Sequence, residues 1–348
     1  MRNNQTQTMK KIFIAAAALA ALASCSKEEQ PAITENGAAN IVNLSFVASQ
    51  NQLSRAFFDP SATTEAWEKS ISSLSVFCFN TDGKLLLRRN FTPSEITAKK
   101  ATFSLPNSAA GTSLQMFAIA NAEIADIATK DDLLKMKDSA PQLYNGTFAE
   151  VSTTAKRAGG FQMSGNKTVT VSNDGKPTNV ALTLSRSVAK IAVQTTIDPE
   201  FASKYPGKVK ITSATISRAN ASVTYVEPTA AIEDKATYTH DQDPSVSGSA
   251  FNNLFYIFPN PNRAAGGRVL LTLEALYDRD GNFTTTTDQS PVSYEVELTG
   301  DAATGAIKRN SYYRIAVTLT GLTGSDMSIS VSVADWLTPV TQEVSLGQ

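Results

Sequence analysis

The sequence predicts an all-β protein built from two β-sandwich domains with one or two short helices. Apolar residues alternate with serine and threonine at a period of two, which is the repeat of a half-buried strand. Turn signals such as Asn80-Thr81-Asp82-Gly83 and Asp280-Gly281-Asn282 separate these runs. The chain has 348 residues, which is enough for two ordinary domains.

The alternating runs and the turns between them define the predicted elements in chain order. We predict strands over residues 41–49, 71–79, 85–88, 101–105, 113–120, 167–171, 179–193, 209–218, 222–226, 254–258, 269–278, 294–298, 311–320 and 327–336. The spacing of Ile124, Ile127, Leu133 and Met136 predicts one helix, with its cap near Thr129. We expect the long run 179–193 to cross between the domains near 185–187.

Composition and charge exclude several classes of function. Hydrophobic residues make up 42% of the chain and charged residues 18%, which is typical of a globular protein. The formal net charge of −1 leaves no basic surface for nucleic acid. Cys78 lies in an apolar run, where we expect a buried and inert thiol. His240, the single histidine, lies in a polar run and is interpreted as part of a solvated loop, so no metal site is predicted.

The N-terminus is interpreted as an export signal over residues 1–24. Lys10-Lys11 precede a short apolar core, which is far below the roughly 20 residues of a membrane span. The core ends at Leu22-Ala23-Ser24-Cys25, which resembles a bacterial lipobox whose cysteine is acylated. An ordinary secretory signal with a chance cysteine is the alternative. A polar tether follows, and several acyl chains, for example palmitate, would hold the chain on a membrane.

The first predicted strand is joined to the rest of the chain by a polar link that ends at Arg55. One face of this strand is apolar and consists of Val42, Leu44, Phe46 and Ala48. The opposite face consists of Asn43, Ser45 and Val47. We expect this strand to occupy an edge of its sheet. We also expect a trypsin-like protease to cut between Arg55 and Ala56 and so detach it.

The C-terminal tail carries the complementary signal. A first set of apolar residues alternates with serines and consists of Met327, Ile329, Val331 and Val333. A second set follows Pro339 and occupies every second position together with Gln342; it consists of Val340, Val344 and Leu346. A donated strand supplies main-chain hydrogen bonds and alternate apolar side chains. Four such side chains contribute roughly 6–12 kcal/mol of gross stabilisation. Because donor and groove lie on different surfaces, the contact is head-to-tail and gives an open filament.

Short segments along the chain resemble the fimbrillins of the Bacteroidetes type V pilus, the FimA-like major fimbrial subunit family. The matching segments are the lipobox at Cys25, the Arg55-Ala56-Phe57 junction, Leu74 to Phe79, Ala118-Ile119-Ala120-Asn121, Phe161-Gln162-Met163-Ser164, Arg186-Ser187-Val188-Ala189-Lys190-Ile191 and Tyr312-Tyr313-Arg314-Ile315. The resemblance implies transthyretin-like Greek-key sandwiches, export as a lipoprotein, maturation by an Arg-specific protease and polymerisation by donor-strand exchange at the cell surface.

The resemblance also implies how the chain is divided. Residues 25–55 would be the lipidated tether with the removable strand at 41–49, 56–186 the N-terminal domain and 187–348 the C-terminal domain, with its donor at about 327–346. The implied partners are other pilin subunits, the maturation protease, the outer membrane through the lipid before cleavage, and a host or bacterial adhesion target. The implied location is an outer-membrane lipoprotein precursor and then a cell-surface fimbrium.

No catalytic motif is visible, so the sequence predicts no enzyme and no cofactor. One alternative is a non-polymerising surface lipoprotein that binds a glycan or a host protein through its loops. A second alternative, within the family, is an anchor or a tip subunit. An anchor should keep its lipid and resist cleavage, whereas a tip should lack a usable donor tail.

Overall fold

The computed structural model describes residues 40–48, 67–139, 145–147, 160–229, 232–242, 251–300, 305–322, 327–335 and 339–340. The predicted lipidation and cleavage residues Cys25, Arg55 and Ala56, and the tail residues Val344 and Leu346, lie outside these ranges. Within the described part, no helix has the length and apolar character needed to cross a membrane.

The described residues of the first half form nine strands and two short helices. The strands are β1 (Asn40–Ala48), β2 (Leu74–Phe79), β3 (Leu85–Asn90), β4 (Lys100–Leu105), β5 (Ser113–Ala120), β6 (Lys137–Ser139), β7 (Asn145–Thr147), β8 (Met163–Thr170) and β9 (Thr178–Arg186). The helices are α1 (Pro93–Ala98) and α2 (Lys130–Lys135), and 3₁₀ turns cover Trp67–Lys69 and Asn107–Ala109.

The described residues of the second half add ten strands and one helical turn. The strands are β10 (Ala189–Ile197), β11 (Lys208–Asn220), β12 (Ser222–Thr224), β13 (Lys235–Asp241), β14 (Phe251–Ile257), β15 (Leu270–Asp278), β16 (Gln289–Glu297), β17 (Ser311–Leu319), β18 (Met327–Asp335) and β19 (Pro339–Val340). The helical turn is α3 (Phe201–Lys204).

Strands β1 to β5, β8 and β9 form one seven-stranded sheet with the order β3-β2-β5-β8-β9-β1-β4. Strands β8 and β9 pair only at Met163–Arg186 and Ser164–Ser185, so this contact is a narrow bridge between two parts of the sheet. The larger part is β3-β2-β5-β8, and the smaller part is β9-β1-β4. Apolar side chains from both parts meet in one buried core, which is the packing of a β-sandwich.

The second half forms a six-stranded sheet, β19-β18-β17-β10-β14-β7, and a four-stranded sheet, β13-β11-β15-β16. A second buried core contains alternating residues of β10, β11, β14, β15 and β17. The predicted run 179–193 is therefore two strands in two different sheets, separated by Ser187 and Val188. The all-β prediction is confirmed, while the domain boundaries stay a prediction.

The helix predicted from Ile124 to Met136 is wrong in its extent. Thr129 Oγ1 accepts a hydrogen bond from the Asp132 amide at 3.2 Å, and Asp132 Oδ2 accepts one from the Thr129 amide at 3.0 Å. This capping box starts α2 at Lys130 and leaves the preceding residues outside the helix.

The structure also tests the two isolated residues. Cys78 is fully buried, as predicted. The loop prediction for His240 is wrong, because His240 lies in β13 and its ring stacks on Phe251 with centroids 5.7 Å apart.

Candidate functional site

Strand β1 lies inside its sheet, so the predicted edge position is wrong. It pairs in parallel with β9, from Val42–Thr178 to Ala48–Leu184, and antiparallel with β4, from Asn40–Leu105 to Ser45–Lys100. Strand β4 occupies the end of the sheet instead. The sequence could not indicate this arrangement, because alternation specifies the faces of a strand and not its neighbours.

The apolar face of β1 fills the first core. Val42, Leu44 and Phe46 are at most 1% exposed, and Ala48 is 7% exposed. The ring of Phe46 packs edge-on against Phe91 with centroids 5.6 Å apart. The predicted parity of these four residues therefore agrees with the structure, and their role as a removable strand stays a prediction.

The outer face of β1 carries a polar ladder that crosses all three strands. Thr102 Oγ1 donates to Asn43 Oδ1 at 2.9 Å, and Asn43 Nδ2 donates to Asn179 Oδ1 at 3.1 Å. The side chain of Asn40 donates to the carbonyl oxygen of Pro106 at 3.0 Å. These bonds fix the register of β1 against both neighbours, because a shift by one residue would reverse its faces.

The two ends of β1 are held differently. Strand β4 pairs with residues 40–45, and the Phe46 amide donates to the Lys99 carbonyl oxygen at 3.1 Å. Beyond Phe46, the paired partner among the described residues is β9 alone. At the other end, Asn40 and Ile41 pair with β4 alone in the described part of the chain, and Ile41 is 37% exposed compared with 46% for Val47. Each end of β1 is therefore paired on one side, and the end nearest the link is held by β9.

The predicted donor region is engaged in its own sheet. All nine residues of β18 pair antiparallel with β17, from Met327–Leu319 to Asp335–Ser311. Val333 and Ala334 of β18 pair in turn with Val340 and Pro339 of β19. Strand β18 therefore has paired strands on both sides, and its role as a donor strand stays a prediction.

Glu68, in the first described segment after β1, belongs to a buried polar junction, which we define as Glu68, Arg186, Lys190 and Tyr256. Glu68 Oε1 accepts hydrogen bonds from Lys190 Nζ at 2.7 Å and from the Tyr256 hydroxyl. The Glu68 carbonyl oxygen accepts one from Arg186 Nε at 2.6 Å. Glu68 is fully buried and Lys190 is 3% exposed, so these charges are compensated inside the protein.

Burial also changes the acidity of the junction. It lowers the pKa of the Arg186 guanidinium to about 10, and the nearby Glu68 carboxylate opposes this shift. Arg186 Nη1 donates to Asn310 Oδ1 at 3.0 Å. The ammonium group of Lys190 lies 5.0 Å from the centre of the Tyr312 ring. Arg186 and Lys190 come from one of the family-like segments, while no sequence pattern pointed to Glu68.

A second family-like residue, Asn121, joins three separate segments. Its side-chain amide donates to the carbonyl oxygens of Ser70 and Phe161, each at 2.7 Å, and its oxygen accepts from the Ser72 amide at 2.8 Å. Its backbone has φ of +58°, a left-handed conformation that asparagine tolerates better than most residues. This geometry explains why a buried strand ends in asparagine.

One acidic turn among the described residues was not predicted. Oxygen atoms of Asp278, Asp280 and Asp288 all lie within 4.8 Å of one another at the connection between β15 and β16. Gln289 Nε2 donates to Asp278 Oδ2 at 3.0 Å, so part of this charge is already satisfied by the protein. Exposed acidic turns are common, and this one receives no functional assignment.

The fold is similar to those of several solved bacterial proteins. A candidate cell adhesion protein from Parabacteroides distasonis is 16% identical, with a TM-score of 0.60 over 88% of this chain and 99% of that one. A fimbrilin from Porphyromonas gingivalis is 14% identical, with a TM-score of 0.54 over 87% and 99%. The tip fimbrial protein Mfa3 of that organism is 15% identical, with a TM-score of 0.52 over 85% and 100%.

The sequence comparisons identify the family. No curated protein sequence matches the chain. The family model of the fimbrillin-A associated anchor proteins Mfa1 and Mfa2 matches residues 36–341, which is most of the chain. The sequence resemblance to Bacteroidetes fimbrial proteins is thus confirmed, and the chain belongs to the family of fimbrillin-A associated proteins.

Proposed function

We propose that this protein is a structural subunit of a surface fimbrium, exported as a lipoprotein through Cys25 and matured by cleavage after Arg55. Its subunits join head to tail when a C-terminal strand of one copy replaces β1 of the next. The single observation that carries the proposal is the place of β1. The first described strand is the middle strand of the β9-β1-β4 part of the sheet, so its removal would open a slot between two strands.

The sequence of β18 fits this slot better than the tail beyond it. Aligning Met327 with Val42 places Ile329, Val331 and Val333 at the other inward positions of β1. Ser328 then falls at the position of Asn43, where a hydroxyl can replace part of the polar ladder.

The later tail gives a poorer match in the corresponding alignment. Aligning Val340 with Val42 places Gln342 at the position of Leu44, which is 1% exposed. Burying an amide there without partners is unfavourable. We therefore assign residues 327–333 as the donor, released from β17 in the polymer.

An anchor subunit is the second candidate, and the matched family description favours it. An anchor would keep its acylated Cys25 and its β1, and would receive no strand in this slot. The link from Gln50 to Ser54 contains no basic residue, so Arg55 is the single basic residue between β1 and Ala56. Cleavage at this position therefore separates the two candidates.

The deciding experiment is a polymerisation assay before and after limited treatment with an Arg-specific protease. Intact mass and N-terminal sequencing locate the cut, and electron microscopy and gel ladders detect assembly. A new N-terminus at Ala56 followed by filaments, both lost in Arg55→Ala, supports the stalk subunit. A protein that keeps residues 25–55 on the cell surface supports the anchor.

Synthetic peptides test the donor assignment without disturbing the folding of the subunit. A peptide of residues 327–335 should cap cleaved subunits and shorten the filaments. A peptide of residues 339–348 at the same concentration is the matched control and should have little effect. The reverse result would move the donor to the later tail.

A further inference from the structure

Strand β1 is the strand that holds the β9-β1-β4 sheet together. Among the described residues, β4 has its backbone ladder with β1 alone. Strand β9 pairs with β1 over Thr178 to Leu184 and with β8 only at Ser185 and Arg186. Without its middle strand, the sheet would consist of two separate strands that no backbone hydrogen bond joins.

An empty slot is therefore not a stable surface. Unpaired backbone groups in a buried setting are strongly unfavourable, and exposed strand edges pair with other chains. Ala101, Phe103 and Leu105 of β4 would still lie against the core, but β4 would lose its whole ladder. A cut in the link removes none of the described backbone pairs of β1 with β9 and β4.

We propose that the slot is never empty: after cleavage, β1 stays bound as a separate peptide, and a strand of a second copy displaces it step by step. This inference rests on the proposed function. The partner that fits the slot is an extended strand, apolar at alternate positions, that pairs with β9 and β4 together. Cleavage thus permits the exchange without opening the site.

The effect of the cut follows from the covalent connection. Residues 49–66 join β1 to Trp67, whose neighbour Glu68 is fixed in the buried junction. A covalent link of this kind keeps a frayed end at an effective concentration on the order of millimolar. A competing strand at about 1 µM is roughly 10³-fold more dilute than the tethered end, so β1 rebinds before the competitor can pair. The cut removes this advantage.

The position of the cut also assigns the end at which displacement begins. Among the described residues, Val47 and Ala48 pair with β9 alone, Asn40 and Ile41 pair with β4 alone, and residues 42–45 lie between the two strands. The end at Ala48 adjoins the link, so cleavage frees that end and not the other. An incoming strand can pair with β9 there before it has to displace β1 from β4.

The test uses the full-length chain with Cys25→Ser and with residues 49–55 replaced by the recognition sequence of a specific protease. After complete cleavage, the fragment that contains β1 should elute with the body of the protein on gel filtration. Its release rate should rise in proportion to the concentration of a synthetic peptide of residues 40–48. Loss of the fragment on the column, or a release rate independent of the peptide, would overturn the proposal.

Two variants of the peptide, each with one proline substitution, test the end at which displacement begins. Each variant lacks one backbone N–H, at a position whose side chain faces outward. The peptide with Val47→Pro should displace the fragment about tenfold more slowly, roughly the value of one hydrogen bond. The peptide with Ile41→Pro should stay within about twofold of the parent. If both substitutions slow displacement equally, the inference that displacement begins at the end near Ala48 is wrong.

The engineered cut makes this result independent of the natural maturation site. If Arg55 is never cleaved in the native protein, or if cleaved subunits form no filament, the proposed function fails while the displacement kinetics can still hold. If filaments form but the fragment leaves before any strand arrives, the present inference fails and the proposed function stands.

Discussion

Replacement of Phe46 by alanine should destabilise the first core far more than replacement of its neighbour Val47. We expect Phe46→Ala to lower the free energy of unfolding by about 3–5 kcal/mol, the usual range for a buried phenylalanine. Val47→Ala should change it by about 0.5 kcal/mol or less. The two positions are adjacent in one strand, so the comparison isolates the face on which each side chain lies.

The magnitude follows from the packing of the two side chains. Phe46 is 1% exposed and meets Phe91 edge-on at 5.6 Å, so the alanine variant loses the transfer of a whole ring and leaves a cavity. Val47 is 46% exposed and points to the outer face, so truncation removes few contacts. If β1 were loosely attached in the precursor, the two costs would be similar.

The buried thiol of Cys78 provides the assay. In the full-length Cys25→Ser variant, Cys78 is the remaining cysteine, and it lies in the same core as Phe46. Labelling with a thiol reagent at rising urea reports when this core opens. A loss of 3–5 kcal/mol should move the midpoint down by roughly 1 M or more. Equal midpoints for Phe46→Ala and Val47→Ala would refute the reasoning.

Three further predictions address the junction, the thiol and the strand end. Glu68→Gln leaves Lys190 buried without its counter-charge and should cost about 3–5 kcal/mol, whereas Asp126→Asn at an exposed ion pair should cost at most about 1 kcal/mol; thermal unfolding measures both. Burial raises the pKa of Cys78 from 9.0 to about 12, so the free energy of unfolding is highest below pH 9 and falls as the pH rises from there to about 12. Between pH 8 and pH 10 it should fall by about 1.4 kcal/mol in denaturant titrations of the parent protein, and Cys78→Ala should not show this decrease. Asn121→Ala should be more destabilising than Asn121→Gly, by about 1 kcal/mol in chemical denaturation, because only glycine relieves the strain of φ +58°; equal costs would locate the whole effect in the lost hydrogen bonds.

The sequence predicted local structure well where the pattern of the chain alone decides it. The strand Ser113–Ala120 has the predicted bounds, and the buried parity of Val42 and Leu44 agrees with the alternation. Turn residues and apolar periodicity act over a few neighbouring positions, so one sequence contains this information.

Neighbour relations between distant strands were not predictable in the same way. Nothing in Asn43 specifies that Asn179 and Thr102 lie beside it, so the edge position assigned to β1 was wrong. The role of Glu68 was missed for a related reason. A glutamate in a short polar-flanked segment gives no sign of burial, and its partner Lys190 is 122 residues away.

The place of β1 has a consequence for the order in which the chain can fold. Asn43 and Asn179 are 136 positions apart, so the earliest described strand joins its sheet through contacts that are distant in sequence. Such non-local pairing forms slowly, because a long loop must close first. A chain whose synthesis or export stops before Leu184 cannot complete the pairing of β1 with β9. The complete pairing of β1 therefore requires the strands of the first sandwich up to β9, and in the proposed assembly truncated chains would be excluded by their own topology.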